Sequence, residues 1–340
     1  MHIRSSHLII LAAAAFVFAD LALIWIATQT DFAFDITCCY QQAAERALTD
    51  PATLYDWSDT YTFRYTPIGA LVFAPLVPLA EDAAVWVWLL FKVSVLALVA
   101  VWYSNRWKGN QRVLVALLVL AFPPIVHDLV IGNVSTITVL ALLAVARWQD
   151  PRGGVAIGLL MVLMPKPHLV AVLAYLAFRR PRDFAAAAAT MGVGLLIGLA
   201  IFGVDPWVAF FETLREPLER NFTANVGWSA LLGPVGVVIG LIIGLVVFVV
   251  GVRLGGARGY GLSILAGILA GPYTFIHYLS GTLVAVEPVL RTRPRRLALF
   301  PWLLVVFPLI PVWLTALAGV VRSSPAPPEE ATAPPAATPG

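Results

Sequence analysis

Apolar runs separated by short clusters of arginine and proline follow one another along nearly the whole chain, at lengths that suit membrane-crossing helices of about 20 residues. The first run, His7 to Thr28, reads as a retained helix. It is long, carries Asp20 and has no small-residue cleavage pattern at its far end, so it does not read as a signal peptide. From Gln29 to about Tyr65 the chain turns polar, with Asp31, Asp35, Glu45, Asp50, Asp56 and Asp59 against Arg46 and Arg64. Pro67 to Ala80 is apolar but short and punctuated by Pro67, Pro75 and Pro78, which predicts a juxtamembrane or re-entrant helix rather than a crossing. Further runs at about 83–104, 112–126, 134–147, 153–165, 167–178, 184–203, 230–252, 260–276, 278–290 and 297–321 bring the predicted spans to about eleven. The pairs around Lys166 and Tyr278 are short, which predicts tilted or half-length helices meeting near one surface.

Composition agrees with this pattern. The chain has 340 residues, 60% hydrophobic and 12% charged, with a mean hydropathy of +0.87. A soluble domain has roughly 45–50% apolar and about 25% charged residues, so a water-soluble globule and a disordered chain are excluded. The formal charge of +3 is too small to define a polyanion-binding surface, and no nucleic-acid partner is expected. Two cysteines exclude a disulfide scaffold. The expected fold class is therefore an all-α, multi-pass membrane protein, with one membrane domain over residues 1–322 and no separate soluble domain.

Charge placement orients the bundle. Of the 22 Lys and Arg residues, 15 fall in segments that the layout puts on one side, including Arg106, Lys108, Arg112, Arg179, Arg180, Arg182 and the cluster from Arg291 to Arg296. By the positive-inside rule that side is cytoplasmic. Counting Pro67 to Ala80 as a crossing would move the later clusters to the other face, so the rule also supports a non-spanning segment there. The large acidic loop, residues 29–80, is then extracytoplasmic. A second outer loop, about Val204 to Ser229, mixes Trp207, Phe210, Phe211 and Trp228 with charged residues, as a helix in the headgroup layer does. The last 18 residues, 323–340, hold six prolines and no large apolar side chain, so they read as a disordered tail.

Several ionisable groups gather at the outer end of this layout. Asp31 and Asp35 follow the first run, His127 and Asp128 end the third, Lys166 and His168 sit at a hairpin tip, and His277 sits at another. A charged group in the bilayer centre costs about 2.5–3.5 kcal/mol on insertion scales, so such a gathering is by default a site. Each member also has a plainer reading: solvated acids at a helix end, a cap or surface pair for His127 and Asp128, a lysine reaching lipid phosphates, or packing histidines. Asp20 and Lys92 are expected to pair with each other or with Glu287. Cys38 and Cys39 are expected to pack a short helix, with a vicinal disulfide as the alternative. No HExxH spacing, nucleotide-phosphate loop or GxSxG elbow is present, so neither a metal nor another cofactor is expected.

The order of certain short motifs is more specific. Asp35-Ile-Thr-Cys-Cys-Tyr40, Leu54-Tyr55, Phe63-Arg64-Tyr65-Thr66-Pro67 and Ala74-Pro75-Leu76 resemble the first outer loop of the polyprenol-phosphate-mannose-dependent mannosyltransferases, glycosyltransferase family 87 of the GT-C superfamily. Gly132-Asn133 resembles a Gly-Gln step of that family, Lys166-Pro167 its Lys-Pro, and Gly271-Pro272 with His277-Tyr278 its Ser-Pro and His-Tyr. The resemblance covers about residues 10 to 290. Asn133 in place of Gln, His168 where Thr often stands and Gly271 in place of Ser depart from the family pattern.

The resemblance implies a GT-C-type bundle, a polyprenyl-phosphate sugar donor, and a lipid or glycan acceptor, with membrane lipids around the protein. Departure of a sugar from a phosphodiester needs positive charge near the phosphate, for which Lys166, Arg64 and His277 are the candidates, with Tyr65, His168, His127 and Asp128 lining the donor site. The acceptor hydroxyl needs a base, for which Asp35 is the first choice and Asp31 the reserve. A single displacement predicts inversion and, from a β-linked mannosyl donor, an α-mannoside. A lipid or lipid-linked-sugar transporter is the alternative from another class, and a catalytically silent assembly partner is a third reading.

Overall fold

The computed structural model describes residues 32–56, 63–214 and 227–292. The predicted first helix with Asp20, the candidate base Asp31, the middle of the second outer loop, the run at 297–321 and the tail lie outside the described residues. Among the described residues every regular element is helical. A π-helical turn, Ile36–Tyr40, runs into α1, Gln41–Thr49; α2, Pro67–Ala70, continues as 3₁₀ turns through Leu76. Then come α3 (Glu81–Ser104), α4 (Asn110–Leu120), α5 (Pro123–Ile131), α6 (Ser135–Arg147), α7 (Pro151–Leu163), α8 (Leu169–Arg179), α9 (Pro181–Phe202), α10 (Asp205–Thr213), α11 (Trp228–Leu254), α12 (Gly256–Ala270), a 3₁₀ segment Ile276–Gly281, and α13 (Thr282–Thr292).

Among the described residues three helices are long and apolar enough to cross a bilayer: α3, α9 and the stretch Leu232–Leu254 of α11. They present large apolar side chains outward, Leu90, Leu196 and Leu245 among them, each about two-thirds exposed, as a lipid-facing surface requires. Helices α4 and α5 together make a fourth apolar stretch bent by 41°. The bend falls at Phe122, whose extended backbone precedes Pro123 and Pro124. The eleven spans that the apolar runs predict are not reproduced as eleven long helices. Two of those runs lie wholly outside the described residues, and α6, α7 and α8 have only 13, 13 and 11 residues. The described chain is an all-helical membrane protein whose interior holds several short helices. The Pro67–Leu76 segment, about 15 Å long at helical rise, is too short to cross.

Helix α12 is buried from Gly259 to Leu269, the mark of a helix enclosed on all sides. It packs between α11, α8 and α13. Close contacts of this kind need small residues. On α7, a Cβ added at Gly154 would stand 2.0 Å from the Asp183 carbonyl oxygen, and one at Gly158 would stand 2.6 Å from that of Ala187, so α9 lies directly against the α7 backbone. At Gly267 of α12, a Cβ would meet the His168 carbonyl oxygen at 1.9 Å. That contact seats the α7–α8 hairpin against the core helix.

The arginine-rich end is fastened by polar ties. Arg147 pairs with Glu287 at 2.9 Å, Tyr103 donates to the Leu283 carbonyl at 2.8 Å, and Arg180 donates to the carbonyls of Val145 and Trp148. Two expected partners therefore change. Glu287 is taken by Arg147, and Lys92 is paired at 2.9 Å with Asp128, both side chains fully buried. Charge complementarity alone had left Asp20 and Glu287 as partners for Lys92, because the sequence does not show that α5 brings Asp128 across from α3.

Candidate active site

The site is built where the turn before α1 meets the ends of α5 and α7. Ala33 adopts a left-handed backbone, φ 57°, unusual for a residue with a side chain. It is held there because its N–H donates to the Val130 carbonyl at 2.8 Å and its own carbonyl accepts from Ile36 at 2.9 Å. This reversal, tied to the end of α5, leads the chain into the π-helical turn and brings Asp35 to Asn133 of the α5–α6 connection. That turn contains Cys38 and Cys39, which are joined in a disulfide; of the two expectations for the pair, the alternative is the one observed.

Asn133 is the first residue after Gly132, whose left-handed φ of 78° ends α5. Asn133 donates through Nδ2 to Asp35 Oδ2 at 2.6 Å and to the Tyr40 hydroxyl at 3.3 Å. Its Oδ1 accepts from the Val134 N–H at 2.8 Å, the Ser135 hydroxyl at 3.2 Å and Lys166 Nζ at 3.0 Å. Lys166, at the α7–α8 tip between Pro165 and Pro167, also donates to the Tyr65 hydroxyl at 3.0 Å. Tyr65 and Tyr40 are hydrogen-bonded at 3.1 Å, and Tyr40 donates to Asp35 Oδ2 at 3.3 Å. Two bridges thus join the Lys166 ammonium to the Asp35 carboxylate, one through the Asn133 amide and one through the two phenols. Both end on Oδ2. Among the described residues Oδ1 accepts no hydrogen bond.

Lys166 is buried, with Nζ 5.2 Å from the centre of the Tyr65 ring and 4.8 Å from that of Tyr278, distances at which a cation is attracted to the ring face. Tyr278 belongs to the 3₁₀ segment and contacts His168 and His277, with ring centres 5.1 and 4.7 Å away. His277 stacks between His127 and Phe275, with interplanar angles of 8° and 7°. Four buried ring nitrogens here have no hydrogen-bond partner among the described residues: Nδ1 of His127, Nδ1 and Nε2 of His168, and Nδ1 of His277. Asp128 lies behind this wall. Its carboxylate accepts from the backbone N–H groups of Ser135 and Thr136 at 2.7 and 3.1 Å and from the Thr136 hydroxyl at 2.5 Å, and it pairs with Lys92. It caps α6 and fixes the loop that carries Asn133.

The structure therefore brings Asp35, Tyr65 and Lys166 into one hydrogen-bonded group and sets His168, His277 and His127 along one side. Arg64 donates to the Thr213 carbonyl at the end of α10, at 3.0 Å. Asp128 is engaged with the fold. Asn133 and Tyr40 complete the group, yet composition and spacing gave no reason to single them out; only their place in the family-like motifs did.

Burial is the largest influence on both charged groups. It raises the Asp35 carboxyl above the usual carboxylate value, against the hydrogen bond from Asn133 and the charges of Lys166 and Lys92. It lowers Lys166 to about 8, against the negative charges of Asp128 and Asp35. Among the described residues, the chemistry on offer is a carboxylate with one oxygen accepting no hydrogen bond, beside a fixed cation and unpartnered imidazole nitrogens, enclosed enough to strengthen each interaction. Among the described residues no group of three or more His, Cys, Asp and Glu side chains is placed to hold a metal ion.

A helical membrane fold with a polar cluster of this kind at its edge defines the class, a membrane-embedded protein with an internal polar site. Residues 63–285 match the family model for glycosyltransferase family 87. That is well over half of the chain, and the chain belongs to this family. It is a glycosyltransferase, acting on a sugar donor and an acceptor. No curated protein and no solved structure matches it.

Proposed function

We propose that this glycosyltransferase moves a mannosyl residue from a polyprenyl-phosphate donor to a lipid or glycan acceptor at the extracytoplasmic face of the cell membrane. The observation that carries the reading is the pairing of a one-sidedly held carboxylate, Asp35, with the enclosed cation Lys166 across two hydrogen-bonded bridges. The acceptor hydroxyl gives its proton to Asp35 Oδ1 as its oxygen attacks C1 of the sugar. The bond from C1 to the phosphate oxygen breaks, and its electron pair leaves with the polyprenyl phosphate. Lys166 stabilises the charge on that departing phosphate, with the imidazoles of His277 and His168 beside it. Arg64 is a further cation on the same loop. A base of this kind supplies roughly 10²- to 10⁴-fold in rate.

One displacement inverts the anomeric centre, so a β-linked donor yields an α-mannoside. The polyprenyl chain lies against the apolar Pro67–Leu76 segment, gaining about 0.8 kcal/mol per buried CH₂. The arginine-rich connections at the far end support an extracytoplasmic site by the positive-inside rule.

The test uses wild type and Asp35→Asn reconstituted in lipid with radiolabelled polyprenyl-phosphate mannose and a membrane-lipid extract. Label is expected on an extractable product with wild type and is expected to fall at least 100-fold with the variant. Donor binding by both proteins without transfer from this or any other polyprenyl-phosphate sugar would replace the reading with a transporter or an assembly partner.

A further inference from the structure

We propose that Asn133 is a positioning residue for sugar transfer: its amide keeps the Asp35 carboxylate and the Lys166 ammonium apart and bonded at fixed separation, so that Oδ1 of Asp35 is presented to the acceptor and Lys166 to the donor. The proposal rests on Asp35 acting as the base.

The amide can stand in one orientation only. Three donors, a backbone N–H, a hydroxyl and an ammonium, point at Oδ1, while a carboxylate oxygen and a phenol oxygen accept from Nδ2. Turning it over would face NH₂ toward the three donors and a carbonyl oxygen toward a carboxylate. The backbone beneath is equally constrained. The Asn133 N–H donates to the Asp128 carbonyl at 3.1 Å, the Gly132 carbonyl accepts from Trp88 Nε1 at 2.7 Å, and the Asp128 carboxylate, held by Lys92, caps the next helix. Asn133 therefore projects from a rigid junction rather than from a loose loop.

Its effect follows from what a shorter connection would do. Opposite charges left free to meet form a direct ion pair, which occupies the carboxylate lone pairs and neutralises the cation needed at the phosphate. An amide between them gives each charge a hydrogen bond of the right polarity and neutralises neither. Because both bridges end on Oδ2, the base retains one oxygen for the acceptor proton.

The decisive variants are Asn133→Ala, Asn133→Asp and Asn133→Gln, each checked for a monodisperse fold in detergent. With Asn133→Ala, kcat is expected to fall on the order of 10- to 100-fold, with the donor KM changing much less. Because the Tyr40–Tyr65 bridge still holds Lys166 off the carboxylate, the acid limb of the kcat profile is expected to move to higher pH, since the hydrogen bond that most favours the Asp35 anion is gone. Asn133→Asp keeps the size and the acceptor oxygen for Lys166 but offers Asp35 no donor when ionised; it moves the limb the same way and covers the case of an alanine variant that does not fold. Asn133→Gln retains an amide and recovers part of the lost rate. Unchanged kcat and limb in a folded Asn133→Ala or Asn133→Asp, or a loss confined to KM, would overturn the proposal. A second readout does not need transfer: the pH dependence of carbodiimide labelling at Asp35, followed by mass spectrometry. If wild type transfers no sugar, a labelling midpoint moved upward in the variants still supports the positioning role while the transfer reading fails; an unmoved midpoint sinks the positioning role.

Discussion

At the scale of single residues, the fold depends on one buried pair away from the reacting atoms. Lys92 and Asp128 are both fully buried. Removing one partner strands the other charge, which costs about 3–5 kcal/mol, whereas replacing both with apolar residues is often much milder. Lys92→Met is therefore expected to lower the thermal midpoint in detergent sharply, and adding Asp128→Leu to recover only part of it, because the α6 cap is lost as well; a midpoint unchanged by Lys92→Met would contradict the pairing. The pH dependence belongs to this scale too. In the proposed mechanism transfer requires Asp35 ionised and Lys166 protonated, so initial rates plotted against pH should form a bell. The rising limb sits above the ordinary carboxylate range, and the falling limb lies near 8, where Lys166 loses its proton. Lys166→Met should abolish the falling limb along with most of the rate. Asp35 and Lys166 were legible in the sequence because carboxylate and cation stand at the edges of apolar runs, where polarity is conspicuous. Tyr65 and Asn133 were marked only by their place in the family-like motifs. A neutral amide after a glycine looks like an ordinary helix stop, and its two-sided bonding exists only once α1, α5 and α7 have met.

At the scale of elements, the close approach of α7 to α9 is the most sensitive joint. A side chain at Gly154 has no room beside the Asp183 carbonyl. Gly154→Leu is therefore expected to destabilise the protein by about 1–3 kcal/mol or more through forced separation of the helices, readable as a lower thermal midpoint followed by intrinsic tryptophan fluorescence in detergent; an unchanged midpoint would place α9 elsewhere. The long runs at α3, α9 and α11 were readable as helices because apolar length alone specifies them. The shorter ones were harder. The runs flanking Lys166 already read as short, and α7 and α8 have 13 and 11 residues; apolar length alone does not say whether helices that short cross the membrane. The 41° break between α4 and α5 is written locally, in Phe122-Pro123-Pro124.

At the scale of the whole molecule, the arginine-rich ends and the polar site lie at opposite ends of the bundle in the charge-derived layout, and that orientation can be tested directly. Cys38 and Cys39 are bonded to each other, leaving no free thiol among the described residues. Single cysteines placed at the exposed positions Asp50 and Lys108 then report on the two sides. A membrane-impermeant maleimide added to intact cells is expected to label Asp50→Cys and to spare Lys108→Cys until the membrane is permeabilised. Labelling of both, or the reverse, would overturn the assignment of the site to the outer face.

The cation at the α7–α8 tip is framed by one ring from the first loop, Tyr65, and another from the last described turn, Tyr278. Segments more than 200 positions apart must both be in place before Lys166 has its full setting. A nascent chain still short of Tyr278 on the ribosome holds the carboxylate and the lysine but not the finished enclosure, so under the proposed mechanism transfer competence is expected to arrive late in synthesis, once the 3₁₀ segment carrying Tyr278 has emerged.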